Sequence, residues 1–495
     1  MTDKLDYRNV RPRSTNRLAI VVAVVVLSDF LIFGQTPGLN FFLFAILVTA
    51  AILVSAAKQR HFSTAAWCLG ISAFASAPLL EAPSLMGIAV SLGAILCVAL
   101  VNAKLVPRRL TRLPLVLCRF VLVVPIRLVQ DYRKYLNSHT ERSILTATRQ
   151  YLGTWMVPLI LASIFLFLFA TANPLIEHVL HDIDFAFLLP FMDFWRIGFW
   201  VSVAAFVWAM LRPRLTRRTL RATADRKAPD HAENKFLNQG SLLRSLILFN
   251  ALFAVESLLD LIYLWGGAAL PDGMSHADYA HRGAYPLIAT ALLAAGFVLL
   301  AMRRDGPGNK SPLIRGLIHV WIGQNILLCL SSILRLELYV EAYSLTELRV
   351  AAGIWMGLVA VGLVLIWLRI LLNRSNEWLN AMNIAILAGV LYLSAFIDFP
   401  AFIAPFNVAH CQELTHEGVP LDVDYLSSLG PSAIPALDNY LSSLPHDAVD
   451  KMRAAQSIRQ SLAHDFERRS HDWRSWTFRA ARIEAYLYSS ATNAR

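Results

Sequence analysis

Apolar runs close to twenty residues long recur from one end of the chain to the other, and that repetition leaves few folds open. A run of this length, wound as helix, crosses about 30 Å of hydrocarbon. Lipid offers no hydrogen bonds, so each crossing segment must satisfy its own backbone, which a helix does. The chain is 56% hydrophobic and 16% charged, whereas an ordinary soluble domain carries about 25% charged residues. The expected fold class is therefore all-α: a polytopic transmembrane helical bundle of about 11 spans with a small helical C-terminal extramembrane domain.

The runs group into four regions. Residues 1–103 hold four spans, at 18–33, 39–57, 63–80 and 85–103. The first follows a basic tail but has no small-residue cleavage site behind it, so it reads as an uncleaved helix. Residues 104–150 have another texture, with Arg108, Arg109, Arg112, Arg119, Arg127, Arg133 and Lys134 among short apolar patches bounded by Pro114 and Pro125. That composition suits an amphipathic segment at headgroup level, with anionic lipid as its expected contact. Residues 151–399 supply a seven-span core, and residues 400–495 a helical tail broken near Gly430-Pro431, Pro435 and Pro445.

The formal net charge of +11 invites a nucleic-acid reading, which its distribution removes. Most of the 45 Lys and Arg fall on alternate loops, whereas the other face of the membrane part has Arg196, Arg282, Arg335 and Arg349. Short cytoplasmic loops carry such an excess. The pattern predicts an amino terminus inside and a carboxyl terminus outside, with no basic stripe left over for nucleic acid. The lipid bilayer is then the one partner implied. Of the five cysteines, Cys411 alone falls in the tail, which excludes a disulfide framework there.

Chemistry concentrates between Asn250 and Pro286. Glu256 and Asp260 interrupt an apolar run four residues apart, hence on one helix face. Charge inside a bilayer is costly enough to suggest a functional site with a nearby partner, and Arg335 and Arg282 have the required depth. The next loop, HADYAHRG, adds His276, Asp278, His281 and Arg282, and the outer end of span nine adds Arg335 and Glu337. These eight residues form the candidate ion, substrate or charge-pair cluster. No HExxH or CxxC spacing occurs, so no metal and no cofactor is implied. His410, Cys411 and His416 are close in sequence but match no zinc pattern. Gln324 and Asn325 in mid-span suit bridges between helices, and RLELYVEAYSLTELR suits a segment lying flat at the outer interface.

Four stretches carry a family resemblance: FAVESLLDLIYLWGGAALPDGMSHADYAHRGAYPLIATALL, EAYSLTELRVAAGIW, DVDYLSSLGPSAIPAL and DWRSWTFRAAR. Together they resemble bacterial multi-spanning proteins of the domain of unknown function 4173 type, from about residue 170 to 479. The resemblance implies a Gram-negative inner membrane with the tail in the periplasm, and it implies no activity. It also implies Gln at the position of Glu256 in many members, which shifts the expected role toward Asp260. Three functions stay open: a transporter or channel component, a membrane enzyme acting on an envelope or lipid-linked substrate, and a non-catalytic sensor or scaffold.

Overall fold

The computed structural model describes residues 14–55, 62–103, 105–106, 113–118, 193–212, 239–266, 311–445, 448–469 and 472–493, with a few positions between 158 and 165 and between 290 and 297. Among these residues the structure is helical, without strands. By contacts the chain divides into two compact units: residues 1–74, 91–108 and 112–216, and residues 75–90, 109–111 and 217–495.

The first unit is built on α1 (Ser14–Ile32), α2 (Leu39–Val54), most of α3 (Phe62–Ser76), the greater part of α5 (Leu85–Asn102) and α6 (Phe194–Leu211). Val24, Val48, Ile52, Ala99, Val207 and Met210 make its core. Polar groups inside it are matched locally. Thr49 Oγ1 and Ser72 Oγ lie 2.7 Å apart. Asp29 accepts from Arg196 Nε at 2.9 Å and from Trp200 Nε1 at 2.8 Å. Sequence reading had singled out Arg196 for its side of the membrane, and the structure supplies the acid that it pairs with.

The second unit contains the short α4 (Pro78–Glu81), part of α5 (Leu85–Asn102), then α7 (Gln239–Leu259), α8 (Pro312–Tyr343), α9 (Glu347–Leu371) and α10 (Asn376–Ser394). Helices α7 and α8 run parallel, since Asn250 meets Leu317 while Asp260 meets Arg335 further along both. Their shared core is Leu242, Leu246, Ile314, Ile318, Trp321 and Ile322, continued by Leu365 and Ile366 of α9 and Leu379 of α10. Positions 242, 246, 249, 253, 256 and 260 recur every three or four residues, which turns one stripe of α7 onto α8.

Six helices among the described residues are long and apolar enough to cross a membrane: α5, α6, α7 with its extension to Trp265, α8, α9 and α10. These apolar helices point to a membrane location. Helix α2 is apolar but has 16 residues, about 24 Å of rise. Helix α3 has 15 and stops before Pro78. Most of expected spans five and eight, and most of the basic segment 104–150, lie outside the described residues.

The ends of α8 and α9 correct one expectation. The stretch after Arg335 does not lie flat, because α8 runs on without interruption to Tyr343. Nothing stops it earlier: no Gly or Pro stands between Gly323 and Ser344. Ser344, at φ 65°, then turns the chain. Arg349 Nη1 caps the helix by donating to the carbonyls of Tyr343, at 2.5 Å, and Ser344.

The C-terminal region is a set of shorter helices: α11 (Phe399–Ala409), α12 (Gln412–Thr415), α13 (Val423–Ser428), α14 (Ile434–Ser443), α15 (Val449–Glu467) and α16 (Phe478–Asn493). Their starts follow from sequence. Asp398 Oδ1 accepts from the Ala401 N–H, Asp422 Oδ1 accepts from the Tyr425 N–H, and Pro435 occupies the first turn of α14. Ile403, Val408, Leu426, Ile434, Leu437 and Tyr440 form a core that extends onto Val340 and Leu345. Buried Asn407 fastens that junction, its Oδ1 accepting from Leu345 N at 2.7 Å and its Nδ2 donating to Leu345 O at 2.9 Å. The C-terminal helices thus pack at the end of α8 that carries Arg335.

Candidate functional site

Arg335 is the centre of the charged site. Its side chain is 3% exposed, and Nη2 donates both to Asp260 Oδ1 and, at 3.3 Å, to Glu256 Oε1. Asp260 is fully buried and Glu256 is 39% exposed. The two acids differ because α8 covers one and not the other: position 260 lies at the middle of the apolar stripe, while 256 lies at its edge. An arginine between two carboxylates suits this geometry, since its several N–H donors fan out in one plane. Removing Arg335 would take the shared cation from both carboxylates.

At the same level α7 changes its winding. Residues Asp260–Trp265 form a π-helical turn, in which hydrogen bonds reach one residue further than in an α-helix. Trp265 Nε1 donates to buried Ser331 Oγ of α8 at 3.1 Å, so the turn is tied to α8 at its far end as well as at Asp260. Gly266 closes it. A Cβ at that position would lie 2.7 Å from the Ile262 carbonyl oxygen and 2.9 Å from that of Leu261, so no other residue fits without moving backbone. Such π-turns concentrate at functional positions.

Below the charges, the α7–α8 seam is polar in patches. Gln324 Nε2 donates to Asn250 O at 3.2 Å, and Asn250 Nδ2 donates to Leu246 O at 2.8 Å and Leu317 O at 3.2 Å. Asn325 Nδ2 donates to Trp321 O at 2.7 Å. The Trp321 ring stacks on Phe249 at 5.3 Å and meets Phe253 and Phe297 edge-on. His319 faces the other side of α8, where its Nδ1 accepts from Trp367 Nε1 at 2.9 Å.

Of the eight residues singled out from sequence, the structure brings three together: Glu256, Asp260 and Arg335. Glu337 is exposed, because two residues along a helix is over half a turn and carries it away from the seam. His276, Asp278, His281 and Arg282 lie outside the described residues. In the tail, His410 bonds Phe406 O at 2.8 Å and stacks on the Phe406 ring, Cys411 is buried, and His416 sits in a left-handed turn. Among the described residues no group of three His, Cys, Asp or Glu could hold a metal.

A second charged cluster escaped the sequence reading. Glu81, 8% exposed at the end of α4, accepts from both Nη1 and Nη2 of Arg482 in α16. Arg479 Nε sits 3.1 Å from Asp398 Oδ2 and 3.7 Å from Glu81 Oε1, and Ser432 Oγ donates to Asp398 at 2.9 Å. The Glu81 carboxylate beside it holds the Arg482 pKa above its ordinary value. The partners are separated by 401 positions, and no local pattern announces such a pair.

One family model matches, that of Domain of unknown function (DUF4153), over residues 63–440. It overturns the expected 4173 type. Long apolar runs with scattered Gly, Trp and Tyr are shared grammar among polytopic chains, so stretches rich in them carry little family information. The DWRSWTFRAAR stretch lies beyond the matched residues altogether. With that family goes the ground for preferring Asp260 over Glu256. No curated protein and no solved structure matches the chain.

Proposed function

The chain belongs to the DUF4153 family, and from that premise we propose a role in transport, with Glu256 as the acid that exchanges its guest and Asp260–Arg335 as the fixed pair beside it. The observation that carries this reading is the asymmetry of the two carboxylates: one fully buried against Arg335, the other held at 3.3 Å and 39% exposed. Asp260 is enclosed with its arginine, out of reach of a guest. The accessible one can release Arg335 and take a proton or cation at modest cost, and the adjoining π-turn provides backbone that can rewind.

The same proposal places the protein in a bacterial inner membrane with the N-terminus cytoplasmic and the C-terminal helices periplasmic, following the distribution of Lys and Arg. Basic residues of 104–150 would then meet anionic lipid on the inner face. Catalysis on an envelope substrate or a scaffold role finds no comparable observation in its favour.

Flux into proteoliposomes across a panel of ions and small solutes tests the reading. Glu256→Gln is expected to lose transport while reconstituting at the wild-type level. The charge-neutral double variant Asp260→Asn/Arg335→Gln is expected to retain a larger share. Wild-type flux in Glu256→Gln sinks the proposal.

A further inference from the structure

Among the described residues, five buried polar atoms of α7 and α8 have no hydrogen-bond partner: Asn250 Oδ1, Ser257 Oγ, Trp321 Nε1, Gln324 Oε1 and Asn325 Oδ1. Asn325 is 1% exposed, Trp321 3% and Ser257 6%. The amide nitrogens of Asn250, Gln324 and Asn325 are all committed to backbone carbonyls, so turning an amide over would trade one unmet group for another. Buried polar groups in folded proteins are paired almost without exception, and in hydrocarbon no lipid atom can serve. A set of five in one seam calls for a guest.

The atoms themselves choose between the two small guests that fit. A row of neutral oxygens would suit an alkali cation, which prefers hard oxygen ligands. Trp321 Nε1 is a donor only, and its N–H repels a cation. Water serves both kinds: it donates to oxygens such as these four and accepts from the indole. The row also has direction. Its lower part holds two linked pairs, Gln324 with Asn250 and Asn325 with Trp321. Ser257 stands between that group and the charged pair on α7, and Asn250 is about 9 Å of helix below Glu256. About three waters in hydrogen-bond contact cover that distance.

We propose that the α7–α8 seam holds an internal file of water from Asn250 to Ser257, and that the guest delivered along it to Glu256 is a proton. The second half rests on the transport reading above; the first does not. In the transfer, a water of the file gives its proton to the Glu256 carboxylate. The file is refilled by a proton from below, and no other bond is made or broken. Arg335 remains with Asp260 when Glu256 becomes neutral.

Hydroxyl-radical footprinting of the full chain in nanodiscs tests the file, because radiolysis oxidises side chains that touch bound water even when bulk solvent cannot reach them. Trp321 is expected to be oxidised readily in the wild type, and several-fold more slowly in Gln324→Leu and in Asn325→Leu. Both variants replace an unmatched amide by a hydrocarbon of similar size, and unchanged thermal unfolding shows that they are folded. Protection of Trp321 in the wild type overturns the proposal.

Proteoliposomes containing a trapped pH dye test the proton, with tracer sodium as the parallel arm. The expected result is proton uptake that falls several-fold in Asn325→Leu and in Glu256→Gln, with sodium flux at background. Sodium flux that depends on Asn325 overturns the choice of guest. Oxidised Trp321 together with no flux of either ion leaves the file standing and removes the transport reading with its proton.

Discussion

The two arginine–carboxylate clusters use the same groups to opposite ends. At Arg335 the arginine and Asp260 are both hidden, with side chains 3% and 0% exposed. At Arg482 the acid is sheltered and the arginine is 58% exposed, with Arg479, Asp398 and Ser432 sharing the charge. Attraction between charges grows as water is excluded, and so does the penalty for losing one of them. The inner cluster is therefore brittle and specific, and the outer one is forgiving and sensitive to salt.

The largest expected effect lies at the inner pair. Arg335→Leu leaves Asp260 uncompensated and should cost about 3–5 kcal/mol, seen as lost folded yield and a lower unfolding temperature in detergent. Asp260→Asn added to it should restore most of the loss. A single variant as stable as wild type would remove the Arg335–Asp260 pair from the account of stability.

Next comes the tail. Glu413 accepts from Lys451 Nζ at 2.8 Å and from Leu421 N at 3.0 Å. Burial pushes its carboxyl up, but the Lys451 ammonium and the backbone N–H groups outweigh that and hold it below the ordinary carboxylate value. Its contribution to stability is thus present above the unfolded pKa and lost as pH falls through the lowered folded one. Glu413→Gln should cost about 1–2 kcal/mol at neutral pH and flatten the acid limb of an unfolding-temperature profile between pH 7 and pH 3. An unchanged acid limb would remove Glu413 from the account.

The smallest effect belongs to the outer cluster. Arg482→Ala should cost about 1 kcal/mol or less, because the guanidinium is largely in water. The deficit should shrink as salt is raised, since exposed charges are screened beyond about 8 Å at physiological ionic strength. The Arg335 deficit should not change with salt. Equal salt dependence at the two sites would collapse the distinction between them.

What could be read from sequence divides along similar lines. Apolar runs and the breaks near Gly430-Pro431, Pro435 and Pro445 are local signals, and they located α5 to α10 and helix boundaries in the tail. Glu256 and Asp260 announced themselves as charges out of place, and the scarcity of arginine on that side pointed to Arg335. The continuation of α8 past Arg335 was hidden by acids and aromatics that read equally well as an interfacial strip. The π-turn has no residue code that announces it. Glu81 with Arg482 had no signal short of the folded chain.

That last pair bears on the order of events in synthesis. Arg482 is translated 401 residues after Glu81, which at about 5–20 residues per second is roughly 20–80 s. For that interval a carboxylate destined for shelter has no counter-ion. The turn that bears it must stay wet while α5 to α10 are inserted behind it. A chain halted before Arg482 would thus be left with an open latch at Glu81, a mark by which a quality-control protease could tell unfinished molecules from finished ones.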